Sequence, residues 1–218
     1  MSLQRKQEKA ELLIKKMHSE SGMSKAVIGV SGGIDSAVVA TLLTKTLGYK
    51  NVIGYFLPYG KQEDREDAYE IAKFANTGCN IVNIKPMVDS FKLTNDNLGL
   101  GNIKARVRMI ILYEMSRQHN ALVVGTGNKT ELMLGYYTIF GDGACAYEPI
   151  GHMFKTEVKE LASIIGVPQT IIDKAPSAGL WDGQTDEEDL GISYEQIDKY
   201  LAMIDNNKFK SKIPRRVE

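Results

Sequence analysis

The chain reads as an α/β protein, a doubly wound parallel sheet with helices on both faces. Three observations point there. Short β-branched runs alternate with stretches of helical spacing, the pattern of βαβ units. The runs Ala26–Val30 and Ala121–Val124 show no polar alternation, as expected of strands covered on both faces. A glycine-rich turn follows the first run directly and opens a helix.

In order, the first helix spans about 3–20, with Leu3, Ala10, Leu13, Ile14 and Met17 on one face and lysines and glutamates opposite. Strand Ala26–Val30 is followed by helix 36–47 and strand Asn51–Leu57. Helix 63–75 spaces Ala68, Ile71, Ala72 and Ala75 at i, i+3, i+4 and i+7. Ile81–Ile84 is a third strand. Helix 102–118 turns Ile103, Val107, Ile110 and Ile111 inward, and Ala121–Val124 is the fourth strand. Helix 155–165 buries Val158, Leu161, Ala162 and Ile165, and helix 193–204 runs into a basic tail, Lys208–Arg216. No repeat or linker divides the chain, so one domain is expected over 1–218, with a core of about 24–205 and a tail of 206–218.

The 27 basic and 27 acidic side chains cancel. With a pI near 6.8, that excludes a dedicated nucleic-acid binder. Hydrophobic residues make up 43% and charged ones 25%, an ordinary soluble mix. A chain of 218 residues buries about 70% of its unfolded surface and needs no disulfide or metal to fold. Cys79 and Cys145 make no disulfide framework, and His18, His119 and His152 are too scattered for a zinc site. Reduced thiols, no apolar run near membrane length and no secretory leader make the expected location cytoplasmic.

Parallel sheets bind ligands beyond the carboxyl ends of their strands. The first such loop is Ser31-Gly-Gly-Ile-Asp-Ser36. Its glycines allow close backbone approach, and its N–H groups with the helix N-terminus form an anion site. Ser31 and Ser36 add hydroxyls. Asp35 would repel phosphate unless it holds a Mg²⁺ that bridges to it. The bland alternative is a plain strand–turn–helix junction with Asp35 or Ser36 as N-cap. There is no G-x-x-x-x-G-K-[ST], so the loop is not the common P-loop. The hexapeptide resembles the SGGxDS loop of the ATP-pyrophosphatase (PP-loop) superfamily, whose members transfer AMP to a substrate and release pyrophosphate.

The second half narrows the resemblance. It contains Gly101-Asn-Ile-Lys-Ala-Arg-Val-Arg-Met109, Gly125-Thr-Gly-Asn-Lys-Thr-Glu131, Gly141-Asp142 and Pro149. Phe154-Lys-Thr-Glu-Val-Lys-Glu-Leu161, Ala175-Pro-Ser-Ala-Gly-Leu-Trp181, Gln184-Thr-Asp-Glu187, Asp189-Leu-Gly191 and Tyr194 follow. Over roughly 24–205 this series is similar to NAD synthetases of the ammonia-using type. The resemblance implies ATP-dependent amidation of deamido-NAD to NAD, AMP and pyrophosphate through an acyl-adenylate. It implies ATP contacts from Gly29, Val30, Ser31, Gly32, Gly33, Ile34, Asp35, Ser36, Thr126, Lys155 and Ser177. Mg²⁺ ligation would fall to Asp35 and Glu131, catalytic roles to Lys155 and Asp35, and deamido-NAD contacts to Arg106 and Lys210. It also implies a homodimer that needs no nucleic acid or membrane.

Each residue has a plainer reading. Glu131 is then a solvated first-turn carboxylate, and Lys155 and Arg106 are surface cations. Trp181 and Tyr194 are core rather than stacking platforms, and Asp186–Asp189 is a solvated loop. Lys155 is expected on a mobile loop that closes over substrate. Arg106 and Arg108 cannot share one helix face. Many bacterial members have a lysine at the place of Ile139 and an aspartate at that of Ala146, so both positions depart from the pattern. Phe209 stands where the family has histidine, and the chain is short of the pattern near 92–100 and 205–206. Rival readings are another PP-loop AMP-forming ligase or tRNA-modifying enzyme, an adenine-nucleotide sensor, and the synthetase half of a glutamine-dependent system. A length of 218 leaves no room for a glutaminase beside the synthetase, which makes ammonia the expected nitrogen source.

Overall fold

The computed structural model describes residues 1–61, 65–94, 96–179, 181 and 183–205. Helix α1 (Leu3–Ser21) leads into β1 (Lys25–Gly29), α2 (Ile34–Leu47) and β2 (Val52–Phe56). Next come α3 (Arg65–Ala75), β3 (Asn80–Ile81), α4 (Lys85–Phe91), α5 (Asn97–His119) and β4 (Ala121–Val124). The chain continues through α6 (Lys129–Leu134), α7 (Lys155–Ile164), α8 (Gln169–Ile172), α9 (Asp186–Leu190) and α10 (Tyr194–Asp205).

The four strands lie in the order β3-β2-β1-β4, and every pairing is parallel. Successive side chains of β1 go to opposite faces. Ala26 and Ile28 join the layer of α1, α2, α3, α7 and α8, packed around Ile14, Leu42, Leu43, Ile71 and Leu161. Val27 joins the α4 and α5 layer with Tyr55, Ile84, Val107 and Ile111. Burial on both faces is why the strand reads as a continuous apolar run.

Several boundaries differ from the sequence reading, for local reasons. The third strand is only Asn80–Ile81, because Ile84 already serves as N-cap of α4. The helix expected over 102–118 starts at Asn97, where the Asp96 carboxylate accepts from the Gly99 N–H. Ile110 is not inward but 56% exposed. Val107 and Ile111 form the stripe that meets the sheet, whereas Ile110 falls with Arg106 and Tyr113, at i, i+4 and i+7, on an outer face. The acidic run 186–189 is helical, not an irregular loop, and is capped by Thr185. The Phe209 and Lys210 positions and the basic tail lie outside the described residues. Among the described residues, no helix is long and apolar enough to cross a membrane.

One polar tie binds α1 to the segment after β4. His18 Nδ1 lies 2.7 Å from the Met23 carbonyl, which can only accept, so this nitrogen carries the proton. Nε2, 2.8 Å from the Tyr147 hydroxyl, therefore accepts. Burial lowers the pKa of His18. The unfolded chain thus takes the proton first, and protonation favours unfolding. Stability should fall as pH drops below about 6.5, the ordinary histidine value. In thermal melts between pH 7.5 and 5, His18→Gln should flatten that dependence. At pH 7.5 it should lower Tm by a few degrees, the scale of about 1 kcal/mol for a lost hydrogen bond.

Candidate active site

The loop after β1 is shaped from within. Gly32 takes φ +86°, a left-handed value that favours glycine. Ser36 Oγ donates to the Gly33 carbonyl at 2.8 Å and accepts from the Ser31 N–H at 3.3 Å. The N-cap of α2 is Gly33, with no side-chain cap, so neither Asp35 nor Ser36 is the N-cap. The N-terminus of a 14-residue helix thus opens uncapped beyond the edge of the sheet, as an anion site requires. Gly29 ends the strand, and the N–H of the next residue, Val30, donates to the Tyr55 carbonyl at 2.8 Å.

Asp35, in the first turn of α2, points across to the other helices. Its Oδ2 lies 2.5 Å from Lys155 Nζ, and its Oδ1 accepts from Asn128 Nδ2 at 3.0 Å. The same ammonium lies 3.4 Å from Glu131 Oε1. Asn128 and Glu131 form a capping box at the start of α6, where Asn128 Oδ1 accepts from the Glu131 N–H and Glu131 Oε2 accepts from the Asn128 N–H. Asn128 is completely buried and joins both carboxylate-bearing helices. The sequence reading missed it, although N-x-x-E after a strand is a visible capping signal.

One sequence expectation changes here, and the plainer reading of Glu131 is set aside. Lys155 is not on a mobile loop but is the first residue of α7, with its side chain only 8% exposed. Glu131 is not solvated, with its side chain 19% exposed. Burial, then the negative charge of Asp35, pushes the Glu131 carboxyl up. Burial opposes the charge on Lys155, yet Asp35 and Glu131 outweigh it and raise the lysine pKa.

Asp186 is the other unforeseen member. It is buried, accepts from the Tyr194 hydroxyl at 2.9 Å, and its charge acts on Lys155 and Glu131. Tyr194 is buried, as the core reading expected, and its ring lies 5.2 Å below Lys155 Nζ. Trp181 is only partly buried.

Thr126 lies between Gly125 and Gly127 at the end of β4. A Cβ at Gly127 would sit 2.6 Å from Glu148 Oε1, so any larger residue there would require the Glu148 carboxylate to move. Ser177, after α8, is exposed, and its Oγ accepts from the Gly179 N–H at 3.0 Å. Arg106 is exposed, and its Nε donates to the Ile139 carbonyl at 3.3 Å. Arg108 is part-buried and donates to the Leu57 carbonyl, so the two arginines do diverge. Ile139 and Ala146 are both exposed.

Among the described residues, no cluster of three or more His, Cys, Asp or Glu forms a self-sufficient metal site. Asp35 and Glu131 are hard oxygen donors converging on the Lys155 ammonium, with the Asp186 carboxyl close enough for its charge to act on it. That set fits a Mg²⁺ that takes its other ligands from water and phosphate.

A family model described as "NAD synthase" matches residues 6–218. The chain belongs to the NAD synthase family. It is 49% identical over 201 residues to the NH(3)-dependent NAD(+) synthetase of Pyrococcus horikoshii, spanning 90% of this chain and 78% of that protein. Among solved structures, the NMN synthetase of Francisella tularensis superposes with a TM-score of 0.85 at 37% identity, over 93% of this chain and 87% of that one. The NH3-dependent NAD synthetase of Campylobacter jejuni, in complex with nitrate, superposes with a TM-score of 0.76 at 33% identity over 100% of both chains.

Removing one partner from a buried ion pair leaves a charge uncompensated. Lys155→Met should therefore lower unfolding stability in metal-free buffer by about 3 kcal/mol. Adding Asp35→Asn to that variant should restore stability rather than lower it further, as read by urea titration of both single variants and the double.

Proposed function

We propose that the chain converts deamido-NAD, ATP and ammonia to NAD, AMP and pyrophosphate. The observation that carries this reading is the buried Lys155 between Asp35 and Glu131, at the mouth of an uncapped SGGIDS helix. In this reading the N–H groups left open in the loop and at the start of α2 cradle the triphosphate, assisted by Thr126 and Ser177. The nicotinate carboxylate attacks the α-phosphate, and the departing pyrophosphate gains charge. Lys155 offsets that charge from a site that excludes most water, where electrostatic stabilisation is strongest. The carboxyl leaves this step as an acyl-adenylate. Ammonia then attacks its carbonyl and displaces AMP. Asp35 and Glu131 would hold Mg²⁺, which supplies Lewis-acid stabilisation of phosphate charge. Arg106 and Lys210 are assigned to the dinucleotide, and the protein contributes positioning rather than a nucleophile.

A second reading has its own support. The solved structure with a TM-score of 0.85 is an NMN synthetase, and Ile139 and Ala146 supply no charge to a dinucleotide. Nicotinate mononucleotide is then the preferred acceptor, in the same chemistry.

Purified protein with Mg-ATP and ammonium should form NAD and AMP from deamido-NAD. ADP as the nucleotide product would sink the reading, and a higher kcat/KM with the mononucleotide would favour the second. Asp35→Asn should lower kcat by at least about 100-fold while the circular dichroism spectrum is retained.

We also propose a homodimer built on α5. Its outer face carries Ile110 and Tyr113 next to Arg106, both apolar residues more than 40% exposed. Neighbouring exposed apolar residues on one helix face are where a second copy would gain most by burying surface. Ile110→Asp should shift the sedimentation coefficient to that of a monomer while the circular dichroism spectrum is retained.

A further inference from the structure

Helix α7 begins without a side-chain cap of its own. Phe154 is the N-cap and offers no side-chain acceptor, yet the first residues of α7 include the lysine on which the site turns. Glu157 Oε2, within α7, accepts from the Phe154 N–H at 2.9 Å, but the acceptors for the next two N–H groups come from elsewhere. The Lys155 N–H donates to Thr130 Oγ1 at 2.9 Å. The Thr156 N–H and Thr156 Oγ1 donate to Asp198 Oδ2 at 2.9 and 2.8 Å. Thr130 Oγ1 in turn donates to Asp198 Oδ1 at 2.5 Å. One carboxylate on α10 thus gathers the start of α7, which carries Lys155, and the first turn of α6, which carries Glu131.

Asp198 is only 5% exposed, and no lysine or arginine pairs with it among the described residues. A buried carboxylate without a counter-charge is costly to keep. Three donors and the N-terminal end of a helix dipole offset that cost, and charge-assisted bonds of this kind are short and directional. Thr130 is completely buried, so water does not substitute for the network.

We propose that Asp198 is a positioning residue for the amidation reaction, fixing the α7 start so that the Lys155 ammonium stays between Asp35 and Glu131. It acts through Lys155 and touches neither nucleotide. Misplacing a charge by about 1 Å can cost on the order of 100-fold in rate. The inference rests on the amidation reading for its kinetic arm and on geometry alone for its exchange arm.

The test compares wild type, Asp198→Asn and Thr156→Val. Ile71→Ala, in the core on α3, serves as a variant of matched instability. At a temperature well below every Tm, Asp198→Asn should lower kcat by about 10- to 100-fold. KM for the nicotinate substrate should stay within about two-fold, since that substrate is bound elsewhere. Thr156→Val should lose a smaller factor in the same direction, and stands in if Asp198→Asn does not fold. Amide exchange at Lys155 and Thr156 should accelerate by about 10-fold or more in Asp198→Asn, and not in Ile71→Ala. The proposal is overturned if kcat stays within two-fold of wild type, if Ile71→Ala loses as much kcat, or if exchange at 155–156 is unchanged. If wild type itself forms no amide, the amidation reading fails, and exchange alone then decides whether Asp198 holds this segment.

Discussion

The ammonium of Lys155 sits between the carboxylates of Asp35 and Glu131, and most of the local architecture follows from keeping it there. Three ionisable groups in a buried space are costly unless each is paired and hydrogen-bonded. Asp35 is tied by Asn128, Glu131 by its capping box, and the start of α7 by Thr130 and Asp198. The lysine is a structural counter-charge, and in the proposed reaction it would also face a phosphate. Those two roles are compatible because an incoming triphosphate and Mg²⁺ would replace one set of ionic partners with another in the same space.

The parallel sheet makes this convergence possible. Asp35 comes from the loop after β1 and Glu131 from the helix after β4, and these strands are hydrogen-bonded neighbours. Both loops leave the sheet at its carboxyl edge, so residues far apart in sequence arrive side by side. The third participant, Lys155, arrives by a different route. Its helix packs on α2 and α10 on the same face of the sheet, so its placement depends on helix packing rather than strand register.

Much of the fold was legible because burial on two faces writes itself as uninterrupted apolar runs, and helices against a sheet write a 3.6-residue stripe. The misreadings came where those signals weaken. Ile110 is apolar, but an exposed apolar residue looks the same in one sequence as a core residue. The acidic run 186–189 looked solvated because charge usually is, yet Asp186 is drawn inside by the Tyr194 hydroxyl and the charge of Lys155.

The sequence alone determined the strand–loop–helix order, the phosphate-type loop at 31–36, and the motif series that carries Asp35, Glu131, Thr126, Arg106 and Lys155. Those features are local, and local spacing is what a sequence records. Only the tertiary structure decided that Lys155 is buried at a helix start and that Asn128 bridges the two carboxylates. It also decided that Asp198 secures both helix ends. Those contacts span 120, 93 and 68 residues of chain. No periodicity or spacing encodes such pairings, because they exist only once separate helices have packed on the same sheet.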